Sequence, residues 1–175
     1  MKVGIILGSI REERAGEQIG KWVYDEAVKH GGAEFELVDL REFNVPLLTS
    51  STHPAMANGK YDSAEVQAWG DKINEFDAYI FVTAEYNHGV PGAFKNAFDS
   101  IANEWMNKRV AFVGYGAANG VRSIEQWRTI VANMNMWDIR STVELSLFLD
   151  FGDNGFEPLD RRPGELGVLI DQLVA

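Results

Sequence analysis

The apolar residues of this chain fall into two alternating patterns, short unbroken runs and stripes at helical spacing, and the alternation predicts its elements. Val3, Ile5, Ile6 and Leu7 make a run without a polar interruption, the pattern of a strand buried on both faces. The chain turns polar after Gly8-Ser9. Gly16, Glu17 and Gln18 then open a segment in which Ile19, Trp22, Val23 and Ala27 recur at helical spacing, ending near His30-Gly31-Gly32, where the glycines suit a helix C-cap. Phe35, Leu37 and Val38 predict a second strand, closed by Asp39-Leu40. Arg41 to Lys60, with its prolines, Thr49-Ser50-Ser51-Thr52 and Asn58-Gly59, reads as a long loop of the kind that often serves function. Its His53 reads as solvated surface.

Either Asp62 or Ser63 caps the next helix, in which Val66, Trp69, Ile73 and Phe76 form one apolar face. Trp69 belongs to the core on that periodicity. Ala78 to Thr83 predicts a third strand, opening into the polar stretch Ala84 to Gly92. Pro91 sits in the first turn of a helix with Phe94, Ala97, Phe98 and Ile101 on its buried stripe. Arg109 to Tyr115 is a fourth strand that runs into the glycine-rich stretch Gly114 to Gly120. A helix carrying Ile124, Trp127, Ile130, Val131 and Met134 follows. Ile139 to Leu145 predicts a fifth strand, and Glu165 to Val174, after Pro163-Gly164, a closing helix.

Strands alternating with helices predict an α/β protein, a single domain over residues 1–175. In a doubly wound parallel sheet of order 2-1-3-4-5, with helices on both faces, the loops after strands one, three and four converge at the switch point where such sheets bind ligands. The first of these loops offers unpaired helix-start amides, Ser9, Arg11 and Arg14 to a phosphate. It contains neither G-x-G-x-x-G nor G-x-x-x-x-G-K-[ST]. The other two, through Tyr86, Asn87 and the Gly114 to Gly116 turn, suit the edge of a planar heteroaromatic ring. The helix after that turn is expected to reinforce its amides against negative charge. Phe94, Phe98 and Ile101 beside Trp105 exceed what one sheet face readily buries, so self-association is expected there.

A net charge of −10 sets the surface against a polyanion, so no nucleic acid is expected as a partner and any phosphate is bound locally. Without cysteine there is no disulfide, thiolate nucleophile or cysteine-ligated metal, and no metal site is expected. The start lacks a signal pattern and no apolar run reaches about 18 residues, so no membrane association and a cytoplasmic location are expected.

Three blocks, Gly8-Ser9-Ile10-Arg11-x-x-Arg14-x-Gly16, Glu85-Tyr86-Asn87-His88-Gly89-Val90-Pro91-Gly92-x-x-Lys95-Asn96-Ala97-x-Asp99, and Gly114-Tyr115-Gly116 with Arg122-Ser123-Ile124-Glu125-Gln126, resemble the NADPH-dependent FMN reductase family, to about Leu145. The resemblance implies a flavodoxin-like fold, bound FMN, NADPH or NADH as hydride donor, a flavin or quinone as acceptor, and a homodimer or homotetramer. It implies the FMN phosphate on Ser9, Arg11, Arg14 and the amides of Gly16, Glu17, Gln18 and Ile19. Glu85, Tyr86, Asn87 and His88 would line the ring, mostly through backbone, with Gly114, Tyr115 and Gly116 at its pyrimidine edge. No protein side chain is expected as nucleophile or general base. His88 is either a proton donor to a quinone or a turn residue. Two positions depart from the pattern: Ala84 stands where many relatives have proline, and Ser100 where many have tryptophan or a similar ring. The alternatives are a flavodoxin-type electron carrier and a non-redox flavin sensor. Against the carrier, no Trp or Tyr lies between Arg41 and Lys60 to sandwich the ring.

Overall fold

The computed structural model describes residues 1–175. Five parallel strands, β1 (Lys2–Leu7), β2 (Glu34–Asp39), β3 (Ala78–Ala84), β4 (Arg109–Gly116) and β5 (Trp137–Ser146), form one sheet in the order β2-β1-β3-β4-β5. That order and the alternation of strand and helix give the flavodoxin-like architecture the sequence predicts. Every residue of β3 is buried, as expected for a central strand covered on both faces.

The helices α1 (Gly16–His30) and α5 (Arg162–Val174) pack on one face, where Val3, Ile5, Leu7, Ile80 and Val82 meet Ile19, Val23, Leu166 and Ile170. On the other face, α2 (Ala64–Asn74), α3 (Gly92–Asp99) and α4 (Val121–Ala132) bury Trp69, Phe94, Phe98 and Trp127 against Ile6, Phe81 and Phe112. Phe81 is the centre of this second core. Its ring centroid lies 4.9 Å from Phe94, 5.3 Å from Trp127, 5.7 Å from Trp105 and 5.9 Å from Phe112. Each such pair adds about 0.5–1.5 kcal/mol beyond the area it buries. The buried indoles are also satisfied: Trp69 Nε1 donates to the Ala97 carbonyl at 2.9 Å, Trp105 Nε1 to that of Phe98 at 3.1 Å, and Trp127 Nε1 to Thr83 Oγ1 at 3.0 Å.

This packing overturns the expected self-association patch. Phe94, Ile101 and Trp105 are fully buried and Phe98 is 1 % exposed, because Trp127 of α4 packs on Phe94 and Phe98 beside Phe81 of the sheet. Between the two candidate caps, Ser63 is the one used: its Oγ accepts from Val66 N at 3.3 Å, while Asp62 accepts from Ser50 Oγ. Pro91 is the residue before α3 rather than inside its first turn. The closing helix begins at Arg162, three residues early, with Pro163 in its first turn. The long loop is held to α3 by Asn96, which donates to the Pro46 carbonyl at 2.8 Å and accepts from Leu48 N at 2.9 Å.

One segment is absent from the pattern reading. A small antiparallel hairpin, β6 (Phe151–Gly152) with β7 (Gly155–Phe156), stands beside the start of α1, where Gln18 Oε1 accepts from Phe156 N at 2.6 Å. Next to it the fully buried Asp150 accepts from Arg162 Nε at 2.9 Å, Arg162 Nη2 at 2.8 Å, Ser146 N at 2.8 Å and Leu159 N at 3.1 Å. That charge is therefore paired and fully hydrogen-bonded, the condition under which a buried ion is tolerated.

Candidate functional site

The loops after β1, β3 and β4 meet at the carboxyl edge of the sheet. Gly8 N donates to the Val82 carbonyl at 3.1 Å, carrying the first loop beside β3. A Cβ on Gly8 would lie 1.9 Å from Phe94 Cδ1, so only glycine lets the chain turn this close to α3. Ser9 follows, 1 % exposed, its Oγ 2.7 Å from the Tyr86 hydroxyl, and the Arg11 guanidinium sits 5.8 Å from the centroid of the Tyr86 ring. These two contacts join the first loop to the second.

None of the backbone amides from Ser9 to Ala15 donates to an acceptor in the protein, and α1 begins without a side-chain cap. Two side-chain donors buried beneath the loop, Arg14 Nε and the Tyr115 hydroxyl, also lack a partner. Unpaired donors at a helix start are what an oxyanion needs, so the residues present fit a phosphate group.

Arg14 itself stands apart from the other candidates. Its guanidinium forms a two-pronged ion pair with Asp39 at the end of β2 and donates to the Ser9 carbonyl, and its side chain is 3 % exposed. The arginine is committed to shaping the loop from below. Asp39, which closes strand two in the sequence reading, is thus a site residue that reading missed. Gly16, Glu17, Gln18 and Ile19 lie in the first turn of α1, as expected, but Glu17 N and Ile19 N bond back to the Arg14 and Ala15 carbonyls at 3.3 Å each.

In the second loop, Tyr86 and Gly89 exchange two backbone hydrogen bonds of 3.0 Å around Asn87 (φ 50°) and His88 (φ 65°). Two successive left-handed residues make this a type I′ turn, without glycine at either central position. The side-chain amide of Gln126 in α4 holds it there, donating to the His88 carbonyl at 2.8 Å and accepting from Val90 N at 3.3 Å. The His88 side chain is exposed. The amides of Asn87 and His88 have no acceptor in the protein.

Glu85 has a different task. Its carboxylate accepts from Arg122 Nη1 at 2.6 Å and from Arg122 N, in the first turn of α4, at 3.1 Å. The start of α4 is therefore capped by a negative charge, which corrects the expectation that this helix end would stabilise charge on a ligand ring. Gly114, Tyr115 and Gly116 are likewise the last residues of β4, and the turn falls at Ala117 to Gly120. Gly120 takes φ 75°, and a Cβ there would lie 2.4 Å from Tyr115 N. Ala117 and Ala118 leave their amides unpaired, so the third loop still offers donors, one or two residues later than the sequence places them. The Tyr115 side chain points away from this turn, into the core shared with α1.

The comparisons with known proteins agree with this architecture. Residues 1–150 match the NADPH-dependent FMN reductase family. An NAD(P)H-dependent FMN reductase from a Nectria species is 35% identical over 129 residues, 71% of this chain and 64% of that protein. One from Schizosaccharomyces pombe is 31% identical over 135 residues, 77% of this chain and 68% of that protein. Among solved structures, the FerB flavoenzyme NAD(P)H:(acceptor) oxidoreductase of Paracoccus denitrificans superposes with a TM-score of 0.76 at 19% identity, covering 99% of this chain and 94% of that one. A Bacillus cereus flavodoxin does so at 0.61 and 12% identity, covering 99% and 97%. At such identities these structures speak for the fold alone. The three linked loops, their unpaired donors and the match over residues 1–150 lead to one assignment: the chain belongs to the NADPH-dependent FMN reductase family.

Proposed function

We propose that this protein binds FMN in the three-loop crevice and works as an NAD(P)H-dependent oxidoreductase whose acceptor is a free flavin, a quinone or a similar small molecule. The observation that carries the proposal is the set of unsatisfied donors on loops already bonded to one another: the amides from Ser9 to Ala15, of Asn87 and His88, and of Ala117 and Ala118. When bound, FMN supplies a ring that accepts hydride from NAD(P)H and yields electrons to the acceptor.

The chain's own residues do the rest by position. Ser9, Arg11 and the loop amides, with the amides of Gly16 and Gln18, hold the phosphate, and Arg14 with Asp39 keeps that loop in shape. The Tyr86 to Gly89 turn, fixed by Gln126, presents backbone donors to the ring without a flexible side chain between. Gly116 brings the end of β4 against Glu85: a Cβ there would lie 3.2 Å from Glu85 Cβ. In this reading the crevice residues act by holding donor and acceptor in place rather than as nucleophile or base.

The proposal includes a homodimer or homotetramer in the cytoplasm. Leu147 N donates to the Gly116 carbonyl at 3.2 Å, so Phe148 and Leu149, 74% and 65% exposed, stand on the rim of the crevice as apolar surface that a second subunit would cover. No helix of the protein is long and apolar enough to cross a membrane.

Steady-state oxidation of NADPH by the FMN-loaded protein, with a quinone or free FMN as acceptor, tests the activity. Donor and acceptor taking turns at one crevice predict parallel double-reciprocal lines. Negligible turnover with every acceptor would defeat the enzyme reading in favour of a carrier.

A further inference from the structure

Along β4, Val113 and Tyr115 face the α1 side of the sheet with Leu7, Val82 and Ala84, because alternate residues of a strand share a face. Ala84 is the neighbour of Tyr115 on β3, and its small side chain leaves the phenol ring room to cross that strand towards α1. The hydroxyl ends against the first residue of the helix: a Cβ on Gly16 would lie 2.3 Å from it. Burial is the main influence on its ionisation, and Tyr86, Ser9, Arg14 and Arg11 lie near enough to act on it as well.

Tyr115 is 5% exposed, yet its hydroxyl makes no hydrogen bond of good geometry in the protein, Ser9 being a near neighbour whose own Oγ is engaged by Tyr86. Buried hydroxyls are nearly always paired, so this one calls for a partner from outside the chain. The buried Arg14 Nε and the backbone amides from Ser9 to Ala15 are donors without a partner in the same loop. The missing partner is therefore an acceptor with several oxygens. Burial raises the pKa of the phenol above its ordinary value, so it stays a neutral donor throughout the working range.

We infer that Tyr115 donates its hydroxyl to the phosphate of the bound flavin at the start of α1. The assignment rests on the crevice being the FMN site. It moves Tyr115 from the pyrimidine edge, where the family resemblance put it, to the opposite end of the ligand. Ser9, whose Oγ lies 2.7 Å from the Tyr86 hydroxyl, then joins the phosphate end of the crevice to the ring-binding turn.

The test is flavin-fluorescence titration of wild type, Tyr115→Phe and Gly16→Ala with FMN and with riboflavin, which lacks the phosphate. Wild type should prefer FMN. Tyr115→Phe should weaken FMN about tenfold, the loss of one charge-assisted hydrogen bond, and leave riboflavin within twofold. Gly16→Ala, whose new methyl displaces the hydroxyl, should show the same selective loss. Flavin-free Tyr115→Phe should melt no lower than wild type, since the hydroxyl it removes has no partner there. If wild type fails to prefer FMN over riboflavin, the phosphate reading of the loop falls and the tyrosine assignment with it. If wild type prefers FMN and Tyr115→Phe keeps the full preference, or loses affinity for both flavins alike, the assignment to Tyr115 alone is overturned. A lower melting temperature of the flavin-free variant would show that the hydroxyl is structural.

Discussion

Replacing Asp39 by Asn separates two roles for Arg14, ligand or support. In the protein the guanidinium is 3% exposed and its ion-pair partner 23% exposed, and it also donates to the Ser9 carbonyl. Removing one partner of a buried pair costs about 3–5 kcal/mol, because the other charge stays behind unpaired. Asp39 is partly solvated and Asn keeps one acceptor, so the lower end applies, about 3 kcal/mol. For a domain of this size each kcal/mol moves the melting temperature by about 2–4 °C, giving a drop of about 6–12 °C. A loosened Ser9 loop should also weaken FMN about tenfold while riboflavin changes less than twofold, a difference of about 1.4 kcal/mol. Scanning calorimetry on the flavin-free protein and fluorescence titration with both flavins read these effects. A melting shift under about 2 °C would refute the energetic role of the pair. Tighter FMN binding in Asp39→Asn would refute the supporting role, since it would mean that Asp39 had been holding a phosphate ligand back.

Other sites give independent checks. If Arg11 holds the phosphate as proposed, Arg11→Ala should lower FMN affinity about ten- to a hundredfold in titration and leave riboflavin unchanged, since the exposed guanidinium rests on the Tyr86 ring and ion-pairs with no carboxylate. Gly8→Ala should cost about 1–3 kcal/mol in denaturant unfolding, since its methyl would overlap Phe94 and force either the ring or the loop to move. Burial favours the neutral form of Asp150, but hydrogen bonds from Arg162 and from the Ser146 and Leu159 amides overcome it and hold the carboxyl below its ordinary range. Its pKa is thus lower folded than unfolded, so the stabilisation is complete above about pH 4 and is lost as the pH falls through the folded value. Urea midpoints measured at descending pH should fall in that window, and the fall should shrink in Asp150→Asn.

The strands were legible because each buried run is bounded by turn residues, and the loops followed from where those strands end. Ser9, Arg11 and Tyr86 came together as the topology requires, since β1 and β3 are neighbours. What stayed hidden depended on partners far apart in the chain. Arg14 looks like a free cation until Asp39, on another strand, is placed beneath it. The Glu85 carboxylate has no partner in its own segment, and only the fold shows that Arg122 and the start of α4 engage it. Tyr115 follows glycine and precedes glycine, which suggested a turn, yet strand parity with Val113 sends its ring across the sheet. The aromatic stripe around Phe98 and Trp105 exceeds one sheet face on sequence because a further partner, Trp127 with its ring 5.5 Å from Phe98, comes from a separate helix, α4. The β6–β7 hairpin has two residues per strand, too few to show a period.

The most direct test of the account is an anaerobic absorbance titration of the FMN-loaded protein with NADPH. If the crevice holds FMN with a face open to the nicotinamide, one equivalent of NADPH should bleach the visible flavin band, and a quinone should restore it. A band that NADPH leaves unchanged, in protein that retains its FMN, would contradict the central claim.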